Sequence, residues 1–349
     1  MRSRRALPFA VVVFVSSLAA GQAGSFDAYL SIPEGGGPVD VGPVPDGLSS
    51  VDALACRECH ASAYREWAQS RHRSSFDDPI FRREFDVRGG ESCARCHAPR
   101  PAHSGDGVDC ATCHVRDGFV LNPTVSGRAP HRSRETPELN GVLACARCHE
   151  FDFGSRSSRQ QSTLSEWTAS LSGAREETCQ RCHLPREGTR HRHDLPGIDD
   201  PATLGSAVRV RGRAIRTEAG TRAVFQLRAR RVGHAVPTGD FFRSLVVRAW
   251  PDGRPEQAQT AQLRRRFGPE GLIDERLPPP PDPGRTLTLE LPAADRVRFA
   301  VELWLMRPRD MVEGGFTEAE ARRTIARGVL ETFPSTGGSA RRQDASSAL

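Results

Sequence analysis

Residues 56–72 read C-R-E-C-H-A-S-A-Y-R-E-W-A-Q-S-R-H. Two cysteines three apart are closed by a histidine, and a helical run then ends on a second histidine. The opening five residues recur as C-A-R-C-H at 93–97, C-A-T-C-H at 110–114, C-A-R-C-H at 145–149 and C-Q-R-C-H at 179–183. All ten cysteines of the 349-residue chain fall in these five blocks: Cys56, Cys59, Cys93, Cys96, Cys110, Cys113, Cys145, Cys148, Cys179 and Cys182.

C-x-x-C-H is the attachment signature of c-type haem. Two thiols spaced this way form thioethers with two vinyl groups, and the next imidazole reaches the iron. A tetrahedral zinc site also uses C-x-x-C, but it does not need histidine directly after the second cysteine. The chain holds 11 histidines, so five such placements by chance have odds on the order of 10⁻⁸. The reading is five covalently bound c-type haems, with His60, His97, His114, His149 and His183 as proximal ligands.

Six histidines remain: His72, His103, His131, His191, His193 and His234. Five irons can use at most five of them as sixth ligands. A continuous helix from His60 to His72 would rise about 18 Å, so His72 must serve another haem than the one beside it. His103 follows H-A-P-R-P-A, where prolines keep the chain extended and can carry it to a different haem. His131 stands in G-R-A-P-H-R-S-R, ahead of the fourth site. His193 is preferred to His191 because a turn follows it in R-H-R-H-D-L-P-G. His234 lies in V-G-H-A-V-P-T-G-D (232–240), where Gly233 permits close approach and Pro-Thr-Gly turns the chain. It is expected to bolt the second domain to a haem. The expected distal set is therefore His72, His103, His131, His193 and His234.

Y-R-E-W-A-Q-S-R-H (64–72) is partly repeated as L-S-E-W-T-A-S-L-S (164–172), with Glu, Trp and Ser in register and Ser172 in place of His72. Trp67 and Trp167 pack either on a porphyrin or in ordinary core.

The first residues carry Arg2, Arg4 and Arg5, then a short apolar run and small residues. This predicts a secretory signal peptide over 1–23 and a periplasmic, exported protein. The run is shorter than the roughly 20 residues of a comfortable span, and no stable membrane span is expected after cleavage. Losing the three arginines lowers the formal charge from +6 to +3. Each ferric haem with two propionates brings about −1, so the holoprotein should be near neutral or mildly acidic. Aromatics are sparse and the arginines dispersed, which argues against nucleic-acid binding.

The composition divides the rest. A Gly- and Pro-rich linker over 24–50 precedes a helical and irregular pentahaem domain over 51–203. From 204 to 308 the pattern has period two, as in A-V-R-V-R-G and T-L-T-L-E-L, which predicts an antiparallel β-sandwich-like domain. The segment 309–335 is expected to carry a C-terminal helix over 317–328, started by a Thr317/Glu320 capping box. The tail 336–349 reads as disordered. The fold class is thus α + β and multidomain.

With these motifs in hand a resemblance can be stated. C-x-x-C-H followed by Y-x-x-W-x-x-S-x-H resembles the start of the tetrahaem cytochrome c-554 and hydroxylamine-oxidoreductase-like multihaem cytochromes. G-V-D-C-A-T-C-H-V-R-D-G (107–118), T-C-Q-R-C-H-L-P (178–185) and G-H-A-V-P-T-G (233–239) are similar to further hallmarks of that group. The resemblance covers roughly residues 51–250. It implies periplasmic electron transfer to and from redox partners such as other cytochromes or a quinol dehydrogenase. Some relatives are enzymes acting on nitrite or hydroxylamine at one open haem, and an oxidoreductase of this kind, for a small nitrogen or sulfur compound such as tetrathionate, is the alternative reading. The chain departs from the lysine-ligated nitrite reductases, since it contains no lysine, and only Tyr29 and Tyr64 could stand for a cross-linked tyrosine.

Overall fold

The computed structural model describes residues 37–88, 90–125, 127–151, 161–334 and 343–344. The expected signal peptide, the start of the linker and most of the tail lie outside the described residues. Two parts are evident: short helices and loops carrying the cysteine motifs, and one large sheet.

The first part contains α1 (Ala53–Arg57), α2 (Ala61–Ala68), α3 (Pro79–Arg88), α4 (Glu91–His97), α5 (Cys110–His114), α6 (Leu143–His149), α7 (Thr163–Thr168), α8 (Leu171–Ala174) and α9 (Cys179–His183). Few of these exceed two turns, too short to be stable alone. The apolar clusters among them are correspondingly small. One joins Val51, Ala111 and Val115, with Val41 packed on it. Another surrounds Leu121.

Residues 37–50, expected as a linker, instead strap over this part. The Gly37 amide donates to Arg95 O at 2.7 Å, that of Val39 to Pro99 O at 2.7 Å, and that of Arg132 to Asp46 O at 2.8 Å. Val39 is buried. Valines alternating with Pro and Gly give this strap apolar contacts that a purely polar linker lacks.

Helix α10 (Pro201–Ala207), capped by Asp200, leads into the sheet. Its strands are β1 (Val208–Thr217), β2 (Gly220–Ala229), β3 (Ser244–Pro251), β4 (Gln259–Leu263), β5 (Arg285–Leu291), β6 (Arg296–Trp304) and β7 (Arg322–Phe333). They lie in the order β4-β3-β6-β7-β1-β2-β5. All neighbours are antiparallel except β7 and β1, which meet in parallel at Thr332–Ala214 and Phe333–Ile215. Where two packed sheets were expected, a single sheet curls until β4 and β5 approach each other. Closing in this way covers the edges that an open sheet would expose. Along β1, Val208, Val210 and Ala214 face inward and are buried, while Arg209 and Arg213 point out. The core includes Phe225, Leu227, Leu245, Val247, Val297 and Val301.

The expected C-terminal helix is corrected. The Thr317/Glu320 capping box forms, but the helix it starts is only Glu318–Ala321, and the chain then becomes β7. β6 leaves an edge to be paired, and T-I-A-R-G-V-L-E-T-F can alternate as readily as it can coil. Long-range pairing therefore overrides the local helical pattern. Gly328 admits the Phe299 ring, since a β-carbon there would lie 2.9 Å from its Cε1.

Candidate haem centres

Each C-x-x-C-H block sits on or at the end of a short helix. There, residues three and four apart share a face, so both thiols and the following imidazole can address one group. In α5 the start is fixed by Asp109, whose carboxylate accepts from the Thr112 amide at 2.8 Å and forms a buried ion pair with Arg100. None of the ten cysteines is joined in a disulfide.

The histidines then meet in opposed pairs drawn from distant parts of the chain. Ring centres are separated by 6.4 Å for His60–His131, 6.4 Å for His72–His149, 6.2 Å for His114–His193 and 6.3 Å for His183–His234. Two metal–imidazole bonds of about 2 Å, with each ring centre about 1.1 Å behind its nitrogen, add up to about 6.2 Å. Each pair therefore leaves room for one metal ion between two imidazoles. Among the described residues no three His, Cys, Asp or Glu side chains converge on one point. The described histidines instead come together two by two.

In five of these rings the Nδ1 atom is held by a neighbouring oxygen. Nδ1 lies against Leu121 O at 2.9 Å in His114, Pro196 O at 2.8 Å in His183, His191 O at 3.0 Å in His193 and Ala235 O at 3.0 Å in His234. His131 Nδ1 meets Ser133 Oγ at 3.0 Å. A proton on Nδ1 leaves the Nε2 lone pair free to bind iron, and the carbonyl fixes the ring's direction. Burial drives the rings of His114, His131, His193 and His234 toward the neutral form that ligates metal. It pushes His149 down to about 3, and His72 and His193 to about 4, with neighbouring histidines adding to the effect. These residues fit the haem that the motif demands.

The five motifs are packed close together. The thiols of Cys56 and Cys110 lie within hydrogen-bonding reach, as do those of Cys96 and Cys148, and of Cys145 and Cys179. Cys145 and Cys148 are raised well above an ordinary thiol, first by the cysteine each meets, then by burial, and further by nearby Cys113.

His97 differs from the other proximal histidines. Its Nδ1 lies 2.8 Å from Ser75 O, which leaves Nε2 free in the same way. Among the described residues no histidine ring opposes it. Phe81 stacks on its face instead, at 3.8 Å and 9°. Asp240, Asp78 and Arg243 are close enough to act on its charge. Asp240 and Arg243 are deeply placed, and burial pushes the first up and the second down.

His103, the distal ligand expected from the sequence, is not brought to any proximal ring. Its segment, Pro101–Asp106, is a 3₁₀ helix rather than an extended arm. That turn places His103 Nδ1 3.1 Å from Asp52 Oδ1. His191 also lacks an opposed ring among the described residues, and its Nδ1 is taken by Leu184 O at 2.5 Å. Sequence reasoning missed Phe81, Asp240 and Arg243, which carry no motif. It also assigned nothing to Glu66 and Glu166, although their repeat was visible.

Residues 46–115 match the family described as cytochrome c7 and related cytochrome c. The chain also superposes on the crystal structure of a penta-heme cytochrome c552 from Thermochromatium tepidum, with a TM-score of 0.67 and 20% identity. That match covers 82% of this chain and 100% of the other. The fold is that of a multihaem cytochrome c. No curated protein sequence matches the chain. The likeness extends beyond the motif region into the sheet, since 82% of the chain cannot be covered by the helical part alone.

Proposed function

We propose that the protein is a periplasmic pentahaem c-type cytochrome that moves electrons between redox partner proteins. Bound haems would supply the Fe(III)/Fe(II) couple. The chain's own part is to fix their spacing, to provide axial imidazoles and to set potentials through burial and polar contacts. The observation that carries this reading is the set of four opposed histidine pairs at 6.2–6.4 Å. Six-coordinate iron has no free position for a substrate, which suits a carrier. The motif order and the leader expected from the sequence further support placement near the cytochrome c-554 and hydroxylamine-oxidoreductase-like proteins. The test is a pyridine haemochrome assay with ferric EPR on the purified protein. Five haems per chain with low-spin signals from at least four are expected, and fewer than five haems would overturn the reading. N-terminal sequencing of periplasmic material should give a chain starting near residue 24.

One observation favours a second reading at one site. His97 has no opposing histidine among the described residues, and Asp240 and Arg243 stand nearby. An iron held there by His97 alone could take a small nitrogen or sulfur compound as its sixth ligand, with the other four haems delivering electrons. A high-spin ferric signal that shifts on adding nitrite or hydroxylamine supports this reading, and five low-spin haems exclude it.

A further inference from the structure

The repeat around Trp67 and Trp167 extends far beyond the residues that display it in the sequence. Trp67 Nε1 donates to Val108 O at 2.8 Å, and Trp167 Nε1 donates to Glu177 O at 2.8 Å. Both acceptors stand two residues ahead of a C-x-x-C-H block, the third and fifth respectively. The amides of those acceptor residues return to the residue five positions after each tryptophan, Val108 N to His72 O and Glu177 N to Ser172 O, both at 2.9 Å. Just before them the chain turns through positive φ, at Gly107 (60°) and Glu176 (55°). Cys56 meets Cys110 in one copy, and Cys145 meets Cys179 in the other. Two segments of one chain therefore build the same two-motif unit, with the His97 motif inserted into the first.

The glutamates complete the correspondence. Glu66 Oε2 accepts from the backbone N–H of His193 at 2.9 Å, and its carboxylate is gripped by Arg190 at 2.6 and 2.8 Å. Glu166 Oε2 accepts from the N–H of Ala235, next to His234, at 3.1 Å and from Thr238 Oγ1 at 2.7 Å. Its other oxygen takes Arg276 at 2.5 Å and Ser162 Oγ at 2.7 Å. His193 opposes His114, the histidine of the motif that Trp67 holds. His234 opposes His183, the histidine of the motif that Trp167 holds.

We infer that Glu66-Trp67 and Glu166-Trp167 are two copies of one positioning device, in which each tryptophan fixes the proximal motif of a haem and the adjacent glutamate fixes the loop bearing its distal histidine. Because the two side chains are neighbours on one helix, each helix sets the distance between both axial ligands of a single iron. The inference rests on the axial-pair reading above. A carboxylate bound to a backbone N–H and an arginine is a strong, directional tether, and outer contacts of this kind orient metal ligands.

The test is ferric EPR and optical spin-state counting on holoprotein carrying Glu166→Ala, Glu66→Ala, Glu166→Gln or His234→Ala. Glu166→Ala and Glu66→Ala should each add one high-spin haem per chain relative to the parent, and together they should add two. Added imidazole should restore the low-spin signal, because it replaces a displaced ligand. Glu166→Gln keeps an acceptor for Ala235 N–H and Thr238 and should stay low-spin. Unchanged spin counts in both alanine variants, with His234→Ala adding one high-spin haem, overturn the device and leave the axial pairs standing. An unchanged His234→Ala spectrum overturns both. If Glu166→Ala fails to accumulate, Glu66→Ala decides the question, since its carboxylate lies in the more open copy.

Discussion

Adding one methyl group at Gly233 should disturb iron ligation one residue away. A β-carbon there would lie 3.0 Å from Ser172 Cβ, 3.2 Å from Trp167 Cδ1 and 3.3 Å from Ser172 Oγ. Comfortable carbon contacts are about 3.5–4.0 Å, so two neighbours must retreat by several tenths of an ångström. Neither is free to do so. Ser172 Oγ is tied to Glu177 Oε2 at 3.0 Å, and the Trp167 indole is tied to Glu177 O at 2.8 Å. Overpacking of this kind costs about 1–3 kcal/mol. The cheapest relief is a shift of the 233–239 loop, which carries His234 away from His183. Gly233→Ala should therefore add high-spin ferric signal from one haem and lower Tm by roughly 2–4 °C per kcal/mol lost. Gly205→Ala is the control. Its β-carbon would meet only Ile325 O at 4.0 Å, inside helix α10. Replacing a helical glycine there should stabilise the protein by about 0.5–1 kcal/mol without touching the EPR spectrum. A Gly233→Ala protein with parental spectrum and Tm would refute the packing argument.

Three other outcomes are expected. His131→Ala should convert one haem to high spin, since His131 opposes His60, whereas His103→Ala should leave the spectrum unchanged because that ring bonds Asp52; a spectral change in His103→Ala would count against the assignment. Replacing both Cys93 and Cys96 with serine should lower the haemochrome count by one per chain, and any open-site signal should go with it; a high-spin signal that survives would place the open iron elsewhere. Asp199 joins Arg71 at 2.7 Å to Arg323 at 2.7 Å, tying the motif region to β7. Burial pushes this carboxyl up, but the two arginines outweigh it and hold it below its ordinary value. Its stabilisation is therefore present above the ordinary carboxylate pKa and is lost as pH falls through the lower, folded value. Asp199→Asn should cost no more than about 1 kcal/mol at neutral pH, given that the side chain is 43% exposed. Denaturant titrations should show the gap closing in acid, and a gap that widens there would contradict the sign.

The haem motifs were legible because covalent attachment fixes residue type and spacing within five positions. Pairing a distal histidine with its haem was harder, because that depends on where loops travel. His72, His131, His193 and His234 each stand opposite a proximal ring. His103 does not, because a short 3₁₀ turn formed where prolines suggested an extended arm. The period-two signal revealed strands but could not tell two packed sheets from one curled sheet, since both bury alternate residues. Arg322–Phe333 was misread for a related reason. Its local pattern permits a helix, and the decision came from an unpaired edge of β6, more than ten residues away in sequence. The Glu-Trp repeat was visible as letters, while its partners, Val108, Glu177, His193 and Ala235, share no sequence likeness that would have disclosed it.

The thiol contacts described above have a topological consequence. The first motif touches the third, the third neighbours the fourth, and the fourth touches both the second and the fifth. The fourth motif thus meets at least two others, so it stands inside the group rather than at its edge. If the five motifs carry haem as proposed, Cys145–His149 would be a station that charge passes through rather than one where it must enter or leave.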